Sequence, residues 1–98
     1  MAAKDKAGAS APAVEINGRE IAIDRNAATS WDAFRLLRIL NDDDADSFVK
    51  MNTAIAYAGL VSGLGEADIV EIAGGGSAQV ADVMDVVAQI VVAASPKN

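Results

Sequence analysis

Two chemically versatile residue types are missing from this chain of 98 residues, which has neither cysteine nor histidine. Their absence excludes disulfides, thiolate nucleophiles, Cys/His zinc sites and any Ser-His-Asp arrangement. Aromatic residues are also scarce, at 4% against a hydrophobic content of 52% that is mostly Ala and Val. A core of that make-up fills with small side chains, so close packing of helices replaces bulk. Basic residues are outnumbered, 8 to 14, which leaves a formal charge of −6. Nucleic-acid phosphate is a poor ligand for such a surface, because no basic patch offsets the repulsion. No charged segment leads into an apolar run, and the longest apolar stretch, Val86 to Ala94, is far too short to span a bilayer. The expectation is a soluble, cytosolic protein with one small domain. A chain of this length buries a modest share of its surface, so its stability margin is expected to be thin unless it gains contacts from a partner or a second copy, as in a homo-oligomer.

What is present begins after a tail. Residues 1–13, rich in Ala, Lys and Gly, show no apolar period and read as a flexible N-terminal segment, either a recognition arm or an unstructured end. The stretch Val14 to Asp24, VEINGREIAID, alternates apolar and polar residues on both sides of Asn17-Gly18. Asn-Gly between alternating runs is a strong hairpin signal, since both residues tolerate the positive φ of a type I′ turn. One hairpin is marginal alone, so its Val/Ile face needs a helix to lie on, and its free edge could accept a partner strand.

A helix follows over about 30–40, after a short Arg25–Ala28 link. Thr29 is placed to cap it, with Asp32 three residues on in an approximate capping box. Ala33, Leu36, Leu37 and Leu40 share one side, Phe34 lies at its margin, and Asp32, Arg35 and Arg38 lie opposite. Trp31 falls on the charged side. The acidic run Asn41 to Asp46 has the first spacings of a calcium loop at Asp42, Asp44 and Asp46. It fails where Ser47, Lys50 and Thr53 stand in place of the required glycine and ligands. It reads as a linker whose last aspartates cap the next helix.

That helix, over 46–62, carries Phe48, Met51, Ile55 and Ala58/Gly59 at helical spacing and ends at Gly63-Leu64-Gly65. Ala54, Ala58 and Gly59 are small enough for close approach by another helix. A shorter helix over 66–73 turns Ile69 and Ile72 inward. Gly74-Gly75-Gly76 lacks the Lys-Ser/Thr of a phosphate loop and reads as a hinge. Ser77 is placed to cap the last helix, over 78–94. Gln79, Asp82, Asp85 and Gln89 form one narrow polar stripe there, surrounded by Val80, Val83, Met84, Val86, Val87, Ile90, Val91 and Val92. So much apolar surface makes this helix central or places it against another protein. Residues 96–98 form a tail after the helix. The fold class expected is α+β: an N-terminal hairpin packed on a small bundle of three to four helices, within a domain over 14–95.

No group of titratable residues converges on a pocket, so the sequence gives no ground for an enzyme, a cofactor or a metal. The signals are for protein binding. Val80, Val83, Met84, Val87, Ile90 and Val91 form one candidate surface, and Trp31 with Arg35 and Arg38 another, since Trp and Arg are favoured interface anchors. Trp31 has an alternative place beneath the hairpin at the helix entry.

The Asn-Gly hairpin, the Thr-Ser-Trp helix start, the helices after it and the Ser-Pro-Lys-Asn ending of a small acidic chain resemble the tail assembly chaperones of long-tailed bacteriophages and their prophages. The resemblance runs from about Val14 to Asn98. It implies a protein of the host bacterial cytoplasm that binds the tape-measure protein, keeps it soluble, helps recruit tail-tube subunits and is absent from the virion. Pro96-Lys97-Asn98 can be encoded CCA-AAA-AAC, a run on which a ribosome can slip back, so this chain is expected to be the short form of a pair. The rival reading is a structural particle component, such as a head-tail connector or minor tail subunit.

Overall fold

A computed structural model describes residues 13–95; the expected tails at 1–13 and 96–98 lie outside them, apart from Ala13. Ala13 begins the first strand. The hairpin has the expected α+β place at the start of the chain. Asn17 and Gly18 turn at φ 52° and 81°, between β1 (Ala13–Ile16) and β2 (Arg19–Ala22). Two positive φ values suit the type I′ turn that the Asn-Gly pair predicts. The antiparallel register sets Val14 opposite Ile21 and Ile16 opposite Arg19, which puts the branched residues on one face and Glu15 opposite Glu20 on the other. Ile16, Ile21 and Ile23 are buried. The Asn17 side-chain amide donates to the Ile72 carbonyl oxygen at 2.9 Å and ties the turn to a helix end 55 residues away.

The link expected at Arg25–Ala28 is instead a one-turn helix, α1. Asp24 makes it possible, because its Oδ1 accepts from the N–H groups of Asn26 and Ala27 at 3.0 and 3.1 Å. This extra turn also moves the next cap. The Thr29 hydroxyl is occupied at the end of α1, donating to the carbonyl oxygens of Arg25 and Asn26. Ser30 therefore caps α2 (Trp31–Leu40), its Oγ accepting from Ala33 N–H at 3.2 Å. Asp32 does not reach back to the cap; it pairs with Arg35 at 2.9 Å. Along α2, Ala33 is buried and Leu36, Leu37 and Leu40 pack against the core, as the apolar stripe predicts.

Within the acidic linker, Asp42 accepts from Asp44 N–H, and Asp46 caps α3 (Ser47–Ser62) by accepting from Phe48 N–H at 2.7 Å. The buried side of α3 is Thr53, Tyr57, Ala58 and Val61, rotated away from the Phe48–Met51–Ile55 stripe that spacing alone selects. Thr53 is no defect there, because its hydroxyl donates to the Val49 carbonyl oxygen. Burial pushes the Tyr57 hydroxyl pKa up, because desolvation disfavours the phenolate. Gly63 ends α3 in the left-handed region at φ 77°. Gly59 is small for a different reason from the one expected: a Cβ there would stand 2.8 Å from the Leu64 carbonyl oxygen, on the chain folding back over the helix end.

After α4 (Glu66–Ala73), the glycine run forms a 3-10 turn at Gly75–Ser77. Ser77 lies in that turn, so the cap of α5 (Val80–Ala94) is Gln79, whose N–H donates to Asp82 Oδ2 at 3.0 Å. The last helix is central. It packs on α3, α4 and β1, while α2 and α1 also pack on α3. One hydrophobic cluster joins Ile16, Ile23, Val61, Ile69, Val86 and Ile90 from these layers. Among the described residues, no helix is long and apolar enough to cross a membrane.

Candidate protein-docking groove

An imbalance in helix length leaves part of the α3–α5 pair uncovered. At 1.5 Å per residue, α3 and α5 run for about 22–24 Å, whereas α4 runs for about 12 Å. Beside α4 the two long helices leave an apolar groove of about 290 Å³. Phe48, Met51, Asn52 and Ile55 supply the α3 wall, because their spacing places them on one helix face. Glu66 and Val70 come from α4. Val80, Val83 and Met84, preceded by Ala78 and Gln79, complete the groove. Phe48 and Val80, at 71% and 65% exposure, stand at the rim rather than in the protein.

The residues expected to form a surface on the last helix divide between the groove and the core. Val80, Val83 and Met84 line the groove. Val87 and Ile90 do not belong to a docking face; both are buried in this chain's own core against the neighbouring elements. Val91 is half-buried on that core as well. The polar stripe does lie outward, with Gln89 donating to Asp85 at 2.9 Å. Val92, 72% exposed, joins Val14, Ala88 and Ala93 in a shallow apolar depression beside β1.

Trp31 is not beneath the hairpin. The inserted α1 lies between the strands and α2, Ala28 and Ala33 take the buried positions, and Trp31 is left 69% exposed. Its neighbour is Phe34, with ring centroids 5.0 Å apart and planes tilted by 36°. Arg38 lies over the Phe34 ring at 5.3 Å, and Arg35 bonds Asp32, so neither arginine stacks on the indole. No α2 residue lines the groove. The two candidate surfaces are thus separate, and the second gains Phe34.

Phe48, Met51 and Ile55 were legible as a helical stripe, although their spacing does not tell which neighbour they meet. Their one usable signal is position: Phe48 stands in the first turn after an acidic linker, where a helix end is hard to cover. The electrostatics of the groove are one-sided. From Met51 to Pro96 the chain has no Lys or Arg, while Glu66, Asp68, Glu71, Asp82 and Asp85 fall in that span. Lys50 is nearest in sequence, but at 100° per residue it lies on the side of α3 opposite Phe48 and Ile55. Comparison with protein families, with characterised proteins and with solved structures returns no match for this chain.

Proposed function

We propose that this chain is a phage tail assembly chaperone, acting in the host bacterial cytoplasm to hold the tape-measure protein soluble until tail-tube subunits assemble around it. The observation that carries the reading is the groove: apolar walls from three helices, open to solvent, in a molecule of net charge −6. A long helical client exposes apolar stripes before its partners arrive. A groove two to three helical turns long can cover part of such a stripe, and the negative shell opposes aggregation of the complex. The resemblance of the hairpin and helix-start motifs to tail assembly chaperones supports the same conclusion. No catalytic step is part of this function; binding and release suffice.

Co-expression with the tape-measure protein of the same phage or prophage tests the proposal. Its soluble fraction should rise in the presence of this chain and fall again with Val80→Asp. Equal insolubility with and without the chain would refute it. Mass spectrometry of purified particles tests the rival reading, since a chaperone is missing from the virion and a connector or minor tail subunit is present.

A further inference from the structure

The charge around the groove specifies its occupant further than its apolar walls do. An apolar groove alone accepts any amphipathic helix. Here every charge on α4 and α5, which form two of the three walls, is negative: Glu66 lines the groove, Asp68, Glu71, Asp82 and Asp85 lie on the same two helices, and no Lys or Arg occurs between Lys50 and Lys97. The cations of the described residues, Arg19, Arg25, Arg35, Arg38 and Lys50, all belong to the hairpin, α1, α2 and the first turn of α3. We infer that the groove between α3, α4 and α5 binds an amphipathic helix of another protein whose flanks are rich in lysine or arginine. The inference rests on the proposed function for the place of binding and adds the chemistry of what binds there. An acidic helix of equal apolarity is rejected by like-charge contact at Glu66 and by the negative charge of α4 and α5 as a whole.

The geometry agrees with this assignment. The N-terminus of α5, which would otherwise favour an anion, is already answered by Asp82, bonded to Gln79 N–H at 3.0 Å. That helix end therefore adds no pull on an acidic ligand. The only other polar groups in the wall are Asn52 and Gln79, neutral amides that pair with either sign of charge.

Two labelled synthetic peptides of about 18 residues, or five helical turns, test the inference. They share one Leu stripe and differ only in carrying Lys or Glu on the polar face. Fluorescence anisotropy with the purified full chain should show the Lys peptide binding at least about tenfold more tightly, with affinity falling as salt is raised. Val80→Asp separates groove docking from diffuse attraction to an acidic protein. It adds negative charge at an exposed first-turn position that helices tolerate, so diffuse attraction would hold or strengthen binding, whereas docking is weakened. Glu66→Lys should narrow the preference between the two peptides, and Trp31→Ala should leave it unchanged. Equal binding of both peptides would overturn the inference, as would Val80→Asp binding the Lys peptide undiminished. So would sedimentation showing a wild-type dimer that Val80→Asp dissociates, because a second copy would then fill the groove. A soluble tape-measure complex without peptide discrimination would leave the chaperone function standing and remove this inference; the reverse pair of results would do the opposite.

Discussion

Phe34 and Phe48 are both exposed phenylalanines near helix ends, yet their surroundings differ in kind. Phe34 lies on a convex helix face and is engaged from within its own helix, by Trp31 on one side and Arg38 on the other. Phe48 stands at the rim of a concavity whose other wall comes from residues about 30 positions later in the chain. Exposure is similar in name only. An aromatic cluster closed by i,i+3 and i,i+4 neighbours already has its contacts, whereas a groove between helices leaves apolar walls with none. That difference is why the docking surface is proposed on α3–α5 and not on the tryptophan.

The sharpest test lies on α5 itself, where two valines seven residues apart have opposite fates. Val87→Asp should cost about 3–5 kcal/mol, by burying an unpaired carboxylate, and unfold much of the population; circular dichroism during thermal melting would report it. Val80→Asp should melt close to the wild type. Should both melt alike, the assignment of one residue to the core and the other to the rim is wrong. Next in size is the cap that sets where α2 begins and so where Trp31 points. Ser30→Ala should lose about 1 kcal/mol in urea unfolding, more than Thr29→Ala, and the opposite ranking would restore Thr29 as the cap. Trp31→Ala should follow, at or below about 1 kcal/mol, the scale of an aromatic pair at the surface. A larger loss would mean that the indole packs on more than Phe34. Smallest is Phe48→Ala, within about 0.5 kcal/mol of wild-type stability, with its effect seen in client binding instead. A large loss of stability there would close the groove as a docking site.

The hairpin was readable from sequence because its signals are local: Asn17-Gly18 and two short alternating runs fix the turn, the register and the buried face together. Helices α2 to α5 were readable for a similar reason, with glycines and aspartates near their ends. Where reading failed, the deciding contact was distant or the element too short. Four residues, Arg25–Ala28, cannot display a helical period, and without that turn Thr29 looks like the cap. The nearly all-apolar circumference of α5 gives no sign of which valines face α3, α4 and β1. Only packing separates Val87 from Val80. The stripe Phe48–Met51–Ile55 is visible in the sequence, but periodicity identifies a face without naming its neighbour. The groove itself depends on α4 being half as long as its neighbours, a property of three elements at once.

The bond from Asn17 to Ile72 has a consequence for the order of events during synthesis. A hairpin of this size closes within microseconds, and all of its residues are made early. Its docking is another matter, since the acceptor oxygen lies at the end of α4 and the apolar bed for β1 is on α5. Joining points 55 residues apart carries a loop-closure cost that only the completed chain repays. The first strands therefore stay exposed, paired only with each other, until the last helix has left the ribosome, and a nascent chain stalled before residue 72 would carry an unprotected Ile16–Ile21–Ile23 face.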